Sequence, residues 1–209
     1  MGATPTLSDI RRLDLSHHDD IVRVYSEAFS DDEPLMRQLH LRRDELPSFW
    51  KRTCALFLSG SIRGRARIYG LFEEGRLQSC AMVSDDKWIP RLGALWEMVT
   101  KYRRTLGMRK LTAFMRYSLE QPLKTLPPHS CIRLHALACA HGARGRGLGT
   151  VMLGFLKDVS SLGGYNHIQL EVEEINPSRH LYHRMGYRVS RTIRLVGEPY
   201  HVMIQHIRS

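Results

Sequence analysis

Arg144-Gly145-Arg146-Gly147-Leu148-Gly149 lies between a stretch that reads as a buried strand, 131–140, and one that reads as a helix, 150–162. In that setting successive backbone N–H groups converge on an anion at the helix N-terminus, and glycines let the anion approach the backbone closely. The spacing is R-x-x-G-x-G, which has neither the G-K-[ST] ending of a triphosphate loop nor the G-x-G-x-x-G of a dinucleotide fingerprint. A plain glycine-rich turn is the alternative. In the strand before this loop, Arg133, His135, Leu137 and Cys139 alternate onto one face. His135 is placed there to take a proton, or it is a core histidine with a satisfied ring. Further on, Asn176-Pro-Ser-Arg-His-Leu-Tyr182-His-Arg-Met-Gly186-Tyr187 follows a strand and opens a short helix.

These residues need a frame. Residues 10–14 read as an edge strand, and Ser16 with Asp19 forms an S-x-x-D capping box that starts a helix carrying Ile21, Val24, Tyr25 and Ala28 on one apolar stripe. Pro34 opens a second helix. A third follows Pro47, with Phe49, Trp50, Cys54 and Phe57 on related faces, and ends at Gly60. From Ala66 the apolar period becomes two, so 66–84 is a hairpin turning at Glu73-Glu74-Gly75. Residues 87–129 form a helical insertion. After strand 131–140 and the glycine loop, the helix 150–162 turns Val151, Leu153, Phe155, Leu156 and Val159 inward. A strand at 167–172, a helix at 177–185 closed by Gly186 and a terminal antiparallel pair around 197–199 complete one domain, 1–209, of α/β (α+β) class.

The chain has 31 Lys and Arg against 21 Asp and Glu, a net charge of +10, which suits an anionic partner: nucleic acid, an acidic membrane surface or a phosphorylated ligand. No helix-turn-helix, zinc or aromatic RNA-binding signature accompanies the charge. No apolar run approaches the ~18 residues of a membrane helix, and the first residues have no signal-peptide pattern. Met1, Gly2 and Thr6 fit M-G-x-x-x-[ST], but one acyl chain without a polybasic patch anchors weakly. Cys54, Cys80, Cys131 and Cys139 show no C-x-x-C spacing and read as reduced core residues. The histidines include no zinc-binding pair on a helix, so no metal site is expected.

Together, L-A-C-A-H-G-A-R-G-R-G-L-G at 137–149 and N-P-S-R-H-L-Y-H-R-M-G-Y at 176–187 resemble the strand, pyrophosphate loop and N-x-x-x-x-x-[LY]-Y-x-x-x-G-[FY] signature of the GNAT superfamily of acyl-CoA-dependent N-acetyltransferases. The resemblance covers 131–207. The hairpin and first helices agree in order, and 87–129 does not align. It implies a GNAT-like mixed, mostly antiparallel twisted sheet flanked by helices, with the insertion between the third and fourth main strands.

It further implies acetyl-CoA as co-substrate, with no metal. Backbone groups near Leu137, Ala138 and Cys139 would pair with the pantetheine arm, and amides of Arg144, Gly145, Arg146, Gly147, Leu148, Gly149 and Thr150 would hold the pyrophosphate. Asn176 would reach the pantetheine or adenine side, and Tyr182 would protonate the departing thiolate. Basic side chains such as Arg144, Arg146 and Arg179 would suit the polyanionic CoA. The run L-H-A-L-A resembles the arylalkylamine N-acetyltransferases, whose strand carries two histidines acting as a base through water; here only the second is kept, as His135, with Arg133 in place of the first.

The implied activity is acetyl transfer to a primary amine of a small molecule, in the cytoplasm, by a monomer or homodimer without nucleic-acid or membrane partners. The alternatives are acetylation of a protein N-terminus or lysine, and a non-catalytic acyl-CoA-binding domain. The acceptor wall is expected from 29–60 and from Trp88, Trp96, Tyr102 and Phe114 of the insertion, with Asp31-Asp32 and Asp85-Asp86 as candidate ammonium attractors.

Overall fold

Residues 9–30, 33–58, 66–85, 99–100, 109–117, 120–121 and 123–207 are described by the computed structural model. Strand β1 (Ile10–Arg12) leads through a 3-10 turn, Leu15–His17, into α1 (His18–Ala28). The cap differs from the Ser16–Asp19 box expected from sequence. Asp14, extended just ahead of the turn, accepts the Ser16 amide at 2.9 Å, and hydrogen bonds from Ser16 and His17 hold its carboxyl down at about 2. Its carboxylate reaches a helix-start donor that has no partner inside the turn. Ile21, Val24 and Tyr25 of the apolar stripe are buried. Next come α2 (Glu33–Leu39) and α3 (Leu46–Leu58). Trp50 of α3 stacks on both Tyr25 and Phe29, at 4.9 Å between ring centroids in each case.

The hairpin is β2 (Ala66–Glu73) and β3 (Arg76–Asp85), joined at Glu74 (φ 50) and Gly75 (φ 75). Two successive positive φ values match the right-handed twist of paired strands. Between β3 and β4, where the helical insertion was expected, residues 109–117 are helical (α4). Phe114 meets Phe49 edge-on at 5.9 Å and is only 9% exposed, so it serves the core rather than an acceptor wall. Met1, Gly2, Thr6, Asp31, Asp32, Asp86, Trp88, Trp96 and Tyr102 lie outside the described residues.

The remaining elements are β4 (Cys131–Cys139), α5 (Leu148–Leu162), β5 (His167–Glu173), α6 (Arg179–Arg184), β6 (Arg188–Leu195) and β7 (Glu198–His206). They complete a seven-stranded sheet, β1-β2-β3-β4-β5-β7-β6, in which only β4 and β5 run parallel. The final turn sits at Val196 (φ 49) and Gly197 (φ 93). Helix α5 buries Leu148, Met152, Leu153, Leu156 and Ser160, while Val151, Phe155 and Val159 are only partly covered, so its inward stripe is rotated from the expected one. All four cysteines are free thiols; Cys54, Cys80 and Cys131 are buried, as read from sequence.

The register around β4 positions the site. Val83 of β3 faces Leu134, but Met82 faces Ala136, so His135 is the extra residue of a β-bulge. The expected alternation is therefore broken. Leu134, Leu137 and Cys139 share the face of Ala81, while Arg133, Ala136 and Ala138 share the face of Met82 and Cys80. Helix α5 covers the first face, where its Phe155 meets Tyr69, the partner of Ala81. Helix α1 covers the second, where Tyr25 reaches Cys80. The β4–β5 ladder runs only from Cys131↔His167 to Leu134↔Leu170. Beyond the bulge β4 stays with β3 to Cys139 and β5 with β7 to Glu173, so the two strands part.

Candidate active site

The wedge between the parted strands opens onto the glycine loop. Gly145 (φ 74) and Gly147 (φ 82) hold left-handed backbone that L side chains rarely adopt, and Gly147 caps α5 in that conformation. At Gly149 space is tight: a Cβ there would lie 3.0 Å from Leu181 Cδ2 and 3.9 Å from Leu137 Cδ2. The amides of Thr150 and Val151 donate to the Gly147 carbonyl. Those of Gly145 through Gly149 find no acceptor among the described residues, so at the positive end of a 15-residue helix they form a cradle for an anion.

The loop borders a cleft of ≈ 680 Å³ whose lining brings together Leu137, Cys139, Arg144, Gly145, Gly147, Leu148, Gly149, Thr150, Asn176 and Tyr182. Phe29 from the end of α1, Glu173 from the end of β5 and Leu181 also line it. Phe29 begins the 29–60 stretch expected to wall the acceptor; the sequence singles out neither Leu181 nor Glu173, although strand alternation through Gln169 and Glu171 flags Glu173.

Several side chains are engaged differently from expectation. The Arg144 guanidinium donates to the Glu27 and Ala28 carbonyls at 3.0 and 2.9 Å, satisfying the C-terminus of α1 and tying the loop to it. Arg146 pairs with Glu73 at 3.0 Å, and Arg179 donates to the Glu174 carbonyl at 2.8 Å. Each of these cations thus has a partner within the fold, and Arg144 also borders the cleft. Ala138, 1% exposed on the α1 face, is not part of the lining. Asn176 accepts the Ser178 amide at 2.9 Å, a local turn that starts α6.

Tyr182 lies on α6, edge-on to Tyr187 at 5.8 Å. Burial, then Cys139, pushes its phenol up to about 12, so the hydroxyl keeps its proton at neutral pH. Burial also raises the Cys139 thiol, which donates to Ser79 Oγ at 3.4 Å.

His135 lies outside the cleft lining, with Nε2 2.7 Å from Ser84 Oγ. Burial, then the Arg133 charge, pulls the imidazole down to about 3. It is neutral at physiological pH, and its ring meets Ser84 rather than the cleft. Arg133 does not face an open site either. At 2% exposure it pairs with Glu171 at 3.2 Å and donates to Thr125, within a network that Gln169 and Gln121 complete.

Residues 19–187 match the model of a family described as acetyltransferase (GNAT) family, and the chain belongs to that family. The class so defined is the acetyltransferases that draw their acyl group from acyl-CoA. Similar solved structures include histone acetyltransferase HPA2 and related acetyltransferase of Corynebacterium glutamicum (18% identity, 97% of this chain and 96% of that one, TM-score 0.66). Arylalkylamine N-acetyltransferase 2 of Aedes aegypti is similar at 14% identity over 95% and 98% of the chains, TM-score 0.66. The PaiA N-acetyltransferase of Thermoplasma acidophilum in complex with coenzyme A follows at 12% over 94% and 97%, TM-score 0.61. At these identities the likeness speaks for the fold alone. No curated protein matches the chain. Among the described residues no helix is long and apolar enough to cross a membrane, and no cluster of side chains is suited to a metal.

Proposed function

We propose that the protein transfers the acetyl group of acetyl-CoA to a primary amine of a small molecule by direct attack. The carrying observation is one cleft that joins the amides of Gly145 through Gly149, which have no acceptor among the described residues, to the protonated Tyr182 phenol, where β4 and β5 part. The amides suit a pyrophosphate, and Leu137 and Cys139 border the wedge through which a pantetheine arm would run. Acetyl-CoA supplies the activated thioester. The amine, once its ammonium proton has passed to solvent, adds to the thioester carbonyl to form the C–N bond and a tetrahedral oxyanion; as this collapses the C–S bond breaks, Tyr182 protonates the departing thiolate, and the proton that the nitrogen sheds on becoming an amide returns to Tyr182 through solvent. A backbone N–H near Cys139 would stabilise the oxyanion. The enzyme is taken to act in the cytoplasm as a monomer or homodimer, without nucleic-acid or membrane partners.

The test is an amine panel with acetyl-CoA and thiol detection. CoA release that depends on a small primary amine is expected. Release only with peptides would shift the reading to protein acetylation, and tight acetyl-CoA binding with no acceptor consumed would make this a binding domain.

A further inference from the structure

A second cavity, of ≈ 390 Å³, lies where α2, α4 and the β6–β7 turn meet, and it shares no lining residue with the cleft. Arg109, Thr112, Ala113 and Arg116 border it at i, i+3, i+4 and i+7, the face of α4 opposite the buried Leu111 and Phe114. Arg37 of α2 and His40 just beyond that helix add to the basic lining. The one carboxylate in the lining, Glu198, is 3.8 Å from Arg37. Outside it, Glu120 is divided among Arg116, Lys124 and the Val196 amide. The Arg109 guanidinium and the His40 ring have no partner among the described residues. Three guanidinium groups against one lining carboxylate leave the cavity cationic, so it attracts an anion.

Backbone strain gathers at the same place. His40 (φ 52) and Val196 (φ 49), both in the lining, are two of the four described non-glycine residues in left-handed backbone, a conformation that a β-branched side chain resists. Gln38 also borders the cavity; it is 4% exposed, and its Oε1 has no donor among the described residues, a want that an O–H or N–H of a ligand would meet. Its Nε2 donates to the Tyr200 oxygen at 2.9 Å, and the Tyr200 hydroxyl donates to Glu173 of the cleft at 2.7 Å, so one tyrosine stands between cavity and cleft. We infer that this cavity binds a small phosphate-bearing compound through Arg37, Arg109 and Arg116. The phosphate comes either as a separate ligand or as the tail of the acceptor, and only the second source rests on the N-acetyl-transfer reading above. If the arginines merely keep this face solvated, phosphate binds no better here than the net charge of the chain dictates.

Calorimetry of the full chain saturated with CoA, so that the glycine loop is filled, titrated with inorganic phosphate and with O-phosphoethanolamine, separates the two. The parent is expected to bind both. Arg109→Gln should weaken both about 10-fold, with Tm unchanged because that guanidinium holds no other group among the described residues. Glu198→Gln should tighten both by up to about 5-fold, since it removes the carboxylate beside Arg37. Lys157→Gln makes the same change in net charge at an exposed position of α5 and should bind phosphate like the parent. A parent that binds neither compound, or an equal loss in Arg109→Gln and Lys157→Gln, overturns the inference. Turnover assigns the source: a preference for O-phosphoethanolamine over ethanolamine in kcat/KM that Arg109→Gln abolishes makes the phosphate part of the acceptor, and phosphate bound without such a preference makes it a separate ligand. Acetyl transfer to no amine at all would sink the N-acetyl-transfer reading and leave the phosphate site standing.

Discussion

Gly149→Ala sets stability against ligand binding at a single methyl. Within a helix, alanine is favoured over glycine by about 0.8–1.0 kcal/mol. Against this, the new Cβ would lie 3.0 Å from Leu181 Cδ2. That atom ends a flexible side chain and needs to retreat by only a few tenths of an ångström, so the strain falls at or below the low end of the roughly 1–3 kcal/mol of overpacking. The two effects nearly offset, and Tm should stay within about 4 °C of the parent. Binding should not: the methyl lies between Leu181 and Leu137, both lining the cleft, beside amides that have no acceptor among the described residues. Each charge-assisted hydrogen bond lost to a displaced pyrophosphate is worth about 1.5–3 kcal/mol, or roughly 10- to 150-fold in Kd. Gly154→Ala is the control, because nothing lies within 4 Å of its added Cβ in the same helix. It should gain the propensity term and bind acetyl-CoA like the parent. If calorimetry finds Gly149→Ala binding acetyl-CoA as tightly as Gly154→Ala does, the backbone approach at Gly149 is not where the pyrophosphate sits.

Tyr182→Phe should lower kcat by about 10²- to 10⁴-fold with little change in acetyl-CoA affinity. Because burial raises this phenol to about 12, the parent's kcat should not decline between pH 8 and pH 10 through loss of this acid; a basic limb there in the parent, absent from Tyr182→Phe, would show that the phenol titrates well below 12, and an unaltered kcat in Tyr182→Phe would return it to a packing role. His135, lowered to about 3 by burial and Arg133, binds its proton more readily unfolded, at about 6.5, than folded. Its contribution to stability is therefore present above about 6.5 and lost as pH falls toward 3. His135→Gln should flatten the fall of Tm across that window and leave the pH–rate profile above neutrality unchanged; a lost acidic limb of kcat/KM near neutrality would restore the histidine as a base. Arg133→Met strands Glu171, 6% exposed at its side chain, without its charged partner and should cost about 3–5 kcal/mol in urea unfolding. Adding Glu171→Leu should recover much of that loss, and an undiminished loss in the double variant would show that the packing of Arg133, not the pair, matters.

Local rules made much of this molecule legible in its residues. Alternation and turn chemistry marked the hairpin around Glu74 and Gly75, the glycine loop, and the strand order in which an insertion precedes β4, because each depends on neighbours a few positions apart. The site was legible to the same extent: Gly147 caps α5 and Asn176 opens α6 through bonds within their own segments. What sequence could not decide is what depends on partners distant in the chain. His135 is a bulge residue because β3 pairs with Leu134 and Ala136 around it, and that slip turns Arg133 away from Leu137 and Cys139. Arg144, beside the cleft, meets the end of α1, whose carbonyls lie over a hundred residues earlier. Glu173 meets Tyr200, and through it Gln38, because β7 enters the sheet between β5 and β6. Backbone periodicity is set within a segment, whereas strand register and the partner that a long polar side chain finds are set by packing against other segments, so only the tertiary structure decides them.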